Sequence, residues 1–220
     1  MKQDNCWYLE VCNNNECSNC IRYTEMQFLL HNSGIPKDKQ RPISLYAPKE
    51  DYNAYKQLSV IKDEIIDFVE QGGSLYIASK YTGNGKTSWS IKLLLKYFDS
   101  IWPGNGLRIR GMYVHIPTLL LKLKNFNNPL SEEYKYNLMG CDLVVWDDIA
   151  SLDRLTDYDS SQLLSYIDYR VNENKANIYT GNIIDKGSME KLLGPRLVSR
   201  IWNNSERIIF NSTDKRGLED

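Results

Sequence analysis

Ser74-Leu75-Tyr76-Ile77-Ala78-Ser79-Lys80-Tyr81-Thr82-Gly83-Asn84-Gly85-Lys86-Thr87-Ser88 is the stretch that decides the fold. A short apolar run ends in a turn containing two glycines, and the turn opens directly into an apolar-periodic segment from Lys86 to about Phe98. A strand, a glycine-bearing turn and a helix in that order aim backbone N–H groups and the positive end of a helix at phosphate oxygens. Gly85-Lys86-Thr87 supplies the rest of the chemistry. Lys86 is expected to reach the β- and γ-phosphates of ATP and Thr87 to ligate Mg²⁺, with Gly83, Asn84, Gly85, Lys86, Thr87 and Ser88 forming the cradle. The Walker spacing asks for a further glycine where the chain has Lys80. Either Lys80 adopts an unusual backbone conformation or Gly83 makes the turn. Gly-Lys-Thr occurs by chance in many chains, but the flanking strand and helix do not accompany it by chance.

Outward from this stretch the same alternation repeats. Upstream, Leu58, Ile61, Ile65, Phe68 and Val69 share one helical face in a helix expected to start near Asp51 and to stop at Gly72-Gly73. Downstream, strands are expected near Met112–Ile116, Asp142–Trp146, Ala176–Thr180 and Arg207–Phe210, separated by helical patterns at Pro117–Asn125, Ser131–Met139, Ser160–Glu173 and Ser188–Trp202. Strands alternating with helices predict an α/β sandwich: a five-stranded, mainly parallel sheet covered on both faces, with ligands at the carboxyl ends of the strands. The connector Gly34-Ile35-Pro36-Lys37-Asp38-Lys39-Gln40-Arg41-Pro42 is polar and bounded by prolines. It suggests an N-terminal region over residues 1–35, a linker over 36–50 and the ATP-binding domain over 51–220.

A phosphate cradle of this kind needs a carboxylate at the end of an apolar strand, to hold Mg²⁺ through water, and a group that orients the attacking water. Leu143-Val144-Val145-Trp146-Asp147-Asp148 offers both, with Asp147 on the magnesium side and Asp148 as the candidate base. Standing by itself, the acid pair would read as the polar end of a buried strand. With the cradle some sixty residues earlier it reads as the partner motif.

With both motifs placed, the stretch from about Ser33 to Arg216 resembles the DnaC/DnaI family of bacterial helicase loaders, phage-borne members included. These are P-loop proteins of the AAA+ type. Met112-Tyr113-Val114-His115-Ile116-Pro117-Thr118-Leu119-Leu120 resembles the family's second strand and its helix, and Cys141 to Ile149 its Walker B segment. Tyr179-Thr180-Gly181-Asn182 is similar to the sensor-1 segment, which makes Asn182 the γ-phosphate sensor. Leu193-Gly194-Pro195-Arg196-Leu197-Val198-Ser199-Arg200-Ile201 resembles the arginine-bearing helix. Arg200 is then the finger offered to a neighbouring subunit, with Arg196 as runner-up. The departures are Lys80, Asp148 where glutamate is usual, and no sizeable lid domain after the last strand. The resemblance implies a weak, assembly-dependent ATPase that self-associates through its ATPase interface. It implies that the N-terminal region binds the hexameric DnaB-type replicative helicase and helps place it on single-stranded DNA. Two other readings compete. One is a transposition helper related to insertion-sequence ATPases, for which a strongly basic N-terminal region is expected. The other is an adaptor that binds nucleotide without turnover.

The segment before Gly34 carries Cys6, Cys12, Cys17 and Cys20, four of the five cysteines. In a reducing compartment such clustering points to metal ligation, and Cys17-x2-Cys20 has zinc-knuckle spacing. One Zn²⁺ is expected there, with His31 as a possible substitute ligand, supplying folding free energy that so short a segment cannot draw from a core. Met26, Phe28, Leu29 and Leu30 then form either a seal on this small unit or a face for a partner.

The composition excludes other classes. Hydrophobic residues at 42% and charged residues at 25% are values of a packed globular chain. The net charge of −1 gives no global attraction for a phosphate backbone, so any DNA contact requires a local patch or assembly. No apolar run approaches the ~20 residues of a membrane span, and Met1-Lys2-Gln3-Asp4 does not begin a signal peptide. A cytoplasmic protein with no membrane partner is expected.

Overall fold

The computed structural model describes residues 12, 20–101, 106–124, 130–149 and 155–213. Its strands are β1 (Ser74–Ser79), β2 (Gly111–His115), β3 (Leu143–Asp147), β4 (Ala176–Gly181) and β5 (Glu206–Phe210), laid side by side in the order β2-β3-β4-β1-β5. Every pairing is parallel, so the sheet is wholly parallel. Parallel neighbours cannot be joined by hairpins, and each crossover carries helix.

Because successive side chains of a strand point to opposite faces, each strand feeds two cores. Leu75, Ile77, Val145, Ile178 and Ile208 pack beneath α1 (Ile21–Asn32), α2 (Tyr52–Asp63), α3 (Ile65–Glu70) and α4 (Lys86–Ser100). Tyr76, Ala78, Val144, Trp146 and Tyr179 pack beneath α5 (Ile116–Leu123), α6 (Glu132–Gly140), α7 (Asp157–Asn172), α8 (Lys186–Leu193) and α9 (Pro195–Trp202). The result is the expected αβα sandwich, with the strands' carboxyl ends gathered on one rim.

Two helices expected as single pieces are broken. The first stops at Glu64 (φ −106°, ψ 28°), which separates α2 from α3. The second breaks at Gly194, whose φ of 85° and ψ of 150° only glycine adopts readily, and Pro195 starts α9 on a new axis.

Part of the N-terminal region packs on the sheet. Met26, Leu29, Leu30 and Ile35 belong to the same buried cluster as the first face of the sheet. The apolar face of α1 therefore seals the main core. Ser33 and Gly34 continue it along the edge strand: the Tyr113 N–H donates to the Ser33 carbonyl at 2.6 Å. Gly34 lies at φ 75°, and a Cβ there would come 2.6 Å from the Tyr113 carbonyl oxygen. The physical reason is that β2 is an edge, whose outward backbone groups need partners.

Beneath α7 sits Arg170, fully buried. Its guanidinium donates to the carbonyls of Leu138 (3.0 Å), Cys141 (2.8 Å) and Ala176 (2.6 Å) and to the Asn177 side chain (2.8 Å). One side chain thus joins the end of α6, the approach to β3 and the start of β4.

Candidate nucleotide site

The turn after β1 is shaped by its own side chains. Ser79 Oγ accepts hydrogen bonds from the Tyr81 N–H (3.0 Å) and from Asn84 Nδ2 (2.5 Å). The left-handed conformations are taken by Gly83 (φ 69°) and Gly85 (φ 97°), and Lys80 has no positive φ. Gly83 therefore does the turning that the missing first glycine left open. Asn84 is buried and also donates to the Ser212 carbonyl at 3.2 Å, tying the turn to the end of β5. That end is itself fixed by Asp51, which accepts from the N–H groups of Asn211 (2.6 Å) and Ser212 (3.1 Å).

Lys86 opens α4 and is folded back on its own loop, donating to the Tyr81 carbonyl (2.8 Å) and to Asn84 Oδ1 (3.2 Å). Both of these acceptors are neutral, and an anionic phosphate oxygen attracts an ammonium more strongly than either. Thr87 Oγ1 donates to Asp147 Oδ1 at 2.8 Å, which joins the cradle to the end of β3. Asp147 is buried and accepts two further bonds, from Thr180 Oγ1 at 2.7 Å and from the Tyr113 hydroxyl at 2.7 Å. A hydroxyl that donates to a carboxylate keeps a lone pair for a cation. Thr87 and Asp147 together supply the oxygen donors that would suit Mg²⁺.

Asp148 lies at φ 62°, a left-handed conformation that aspartate tolerates better than most residues. Its N–H donates to Thr180 Oγ1 at 2.9 Å, and the next N–H, of Ile149, donates to the Thr180 carbonyl at 2.9 Å. Asn182 opens the loop after β4, and its Oδ1 is buried with no hydrogen-bond partner. The Tyr76 hydroxyl holds this loop by donating to the Ile183 carbonyl at 2.7 Å, and it fills the space where a Cβ on Gly181 would stand.

These residues surround one cavity of about 490 Å³ at the carboxyl rim. It is lined by the cradle from Thr82 to Ser88 and by Asp147, Asp148 and Asn182. Four lining residues were given no site role by the sequence reading: Thr180, Tyr113, His115 and Lys39. Tyr113 and His115 bear polar groups on an apolar strand, a signal that is interpretable only once β2 is known to lie beside β3. Lys39 sits on a short 3₁₀ turn of the connector and carries no sequence signal at all.

The arginines are elsewhere. Arg196 and Arg200 line a separate cavity of about 510 Å³ between α7 and α9. Arg200 is ion-paired with Asp168 of α7. Of the four N-terminal cysteines, Cys12 and Cys20 are described, and Cys6 and Cys17 lie outside the described residues. Among the described residues, no group of three or more side chains is placed to hold a metal ion. No described helix is long and apolar enough to cross a membrane.

No protein-family model matches the chain, and no curated protein does. The fold, however, is shared with solved structures. A structure of the DnaC helicase loader superposes with a TM-score of 0.64 at 21% identity, covering 76% of this chain and 93% of the other. DnaI gives a TM-score of 0.58 at 16% identity, over 82% and 92% of the two chains. Domain III of the replication initiation protein DnaA from Thermotoga maritima gives 0.60 at 16%, over 77% and 66%. The five-stranded parallel sandwich with its cradle at the carboxyl rim is therefore the α/β fold shared by DnaC, DnaI and DnaA domain III.

Proposed function

We propose that this chain is an ATP-dependent helicase loader, which binds ATP and Mg²⁺ in the rim cavity and hydrolyses ATP weakly when assembled. Lys86 and the backbone from Gly83 to Ser88 hold the phosphates. Thr87 and Asp147 hold Mg²⁺, Asp148 orients the attacking water, and Asn182 senses the γ-phosphate. Arg200, with Arg196 as runner-up, is presented to the nucleotide of a neighbouring copy. The partner is a hexameric replicative helicase, engaged through the N-terminal region, with single-stranded DNA held by the assembly and one Zn²⁺ held by Cys6, Cys12, Cys17 and Cys20.

The observation that carries the nucleotide half is the Thr87–Asp147 hydrogen bond at 2.8 Å, which brings the two motifs together and supports a shared magnesium site. The helicase half rests on the fold shared with the DnaC helicase loader, an argument by analogy. Zinc rests on cysteine spacing.

Lys86→Ala is expected to abolish ATP binding in calorimetric titration, and unchanged affinity would sink the cradle. The unmodified chain is expected to co-elute with a DnaB-type hexamer when ATP and Mg²⁺ are present. Retention instead by a transposase on duplex DNA would favour the transposition helper. ATP binding without turnover in the presence of helicase and single-stranded DNA would leave an adaptor, to which the short, conformationally unusual Asp148 lends weight.

A further inference from the structure

We infer that Tyr113 is a positioning residue for the magnesium carboxylate, and that the Ser33–Gly34 strap holds it in place. This deepens the nucleotide reading and rests on it.

Asp147 Oδ1 is satisfied by the hydroxyls of Thr87 and Thr180, at 2.8 and 2.7 Å. Its other oxygen, Oδ2, accepts from Tyr113 at 2.7 Å. A buried carboxylate fixed at one oxygen can still pivot. Fixed at both, it presents a single orientation to whatever water bridges it to the cation. An ionised carboxylate can only accept, so the Tyr113 hydroxyl is the donor of this bond.

Tyr113 is in turn clamped from outside the sheet. Its N–H donates to the Ser33 carbonyl at 2.6 Å, and its carbonyl oxygen lies where a Cβ on Gly34 would have to fit. Ser33 is itself buried, with its hydroxyl donating to the Leu30 carbonyl at 2.9 Å and accepting from the Ile35 N–H at 3.1 Å. The path from the end of α1 to the magnesium side of the cavity is thus three residues long: Ser33, Tyr113, Asp147. A displacement of α1 shifts β2 at Tyr113 and frees the carboxylate to pivot. An event at the N-terminal region would then be felt as a change in Mg²⁺-dependent nucleotide affinity.

The test uses the full-length chain and titrates ATP calorimetrically in Mg²⁺ and in EDTA, taking the ratio of the two affinities. Tyr113→Phe is expected to reduce that ratio about tenfold, the scale of one hydrogen bond to a charged acceptor. Gly34→Ala, which disturbs the clamp without altering the phenol, is expected to reduce it in the same direction. In an Asp147→Asn background Tyr113→Phe is expected to have no further effect on the ratio, because both changes act through one carboxylate. A merely structural role for Tyr113 would lower both affinities together and leave the ratio at its wild-type value, and that result overturns the inference. Additive effects of Tyr113→Phe and Asp147→Asn overturn it as well. A wild-type chain that binds no ATP removes both the inference and the nucleotide reading. A wild-type chain that binds ATP, with an unaltered ratio in Tyr113→Phe, removes the inference only.

Discussion

Thr180 serves two acids with one hydroxyl. It donates to Asp147 Oδ1 and accepts from the Asp148 N–H, so β4 fixes the carboxylate of one residue and the backbone of the next. Thr180→Val keeps the shape and removes both bonds, leaving a backbone donor in the left-handed turn without its partner. The expected cost is ~1–3 kcal/mol of stability, read from urea midpoints. ATP turnover in the presence of helicase and single-stranded DNA is expected to fall about tenfold or more. A variant matching wild type in both would show that Thr180 does nothing for the acids. Cradle and acid pair were legible in the sequence because each is a local pattern: Gly85-Lys86-Thr87 opens a helix, and Asp147-Asp148 closes an apolar strand. Thr180 and Tyr113 were not, because each acts on Asp147 across strands more than thirty residues apart. A sequence read in order shows neither that β4 flanks β3 on one side nor that β2 flanks it on the other.

Among the elements, α9 is the one whose geometry sequence periodicity described least well. Apolar spacing ran straight through Gly194-Pro195, although the glycine's φ of 85° and the proline's missing N–H end one helix and begin another. The break sets α9 against α7, which is why Arg200 meets Asp168. Both partners are more than a third exposed, and exposed pairs of this kind are worth ~0–1 kcal/mol. So weak a tie would not hold the guanidinium against a triphosphate presented by the proposed neighbouring copy. Arg200→Ala is therefore expected to leave ATP affinity of the dilute chain unchanged and to abolish hydrolysis in the assembled state. Mixing it with Lys86→Ala should restore part of the rate, because some interfaces then pair an intact cradle with an intact finger. If Arg200→Ala weakens ATP binding to the dilute chain as much as Lys86→Ala does, the residue works in its own subunit.

For the whole molecule, the decisive feature is that one sheet gathers both cores and that α1 belongs to the first of them. The polar, proline-bounded connector after Gly34 resembles a domain boundary in composition, yet chain composition says nothing about which edge strand lies open to be covered. A chain beginning at Ile35 would leave out Met26, Leu29 and Leu30, each worth ~1.5–3 kcal/mol when fully buried. The sum is on the order of 5 kcal/mol, comparable with the ~5–15 kcal/mol that holds a domain together. Its thermal midpoint, followed by circular dichroism, is expected to lie ~10 °C or more below that of a chain beginning at Ile21. Equal midpoints would show that α1 adds nothing to the stability of the core. Arg170 draws a different consequence from the same architecture, one about the order in which the parts assemble. Its acceptors come from the end of α6, the approach to β3 and the start of β4, so the guanidinium is satisfied only when all three have met around α7. In any half-built form it must remain in water or be stranded in an apolar layer. Its bonds are therefore expected to form late in folding, so Arg170→Met should speed unfolding in a stopped-flow denaturant series while leaving the refolding rate nearly unchanged.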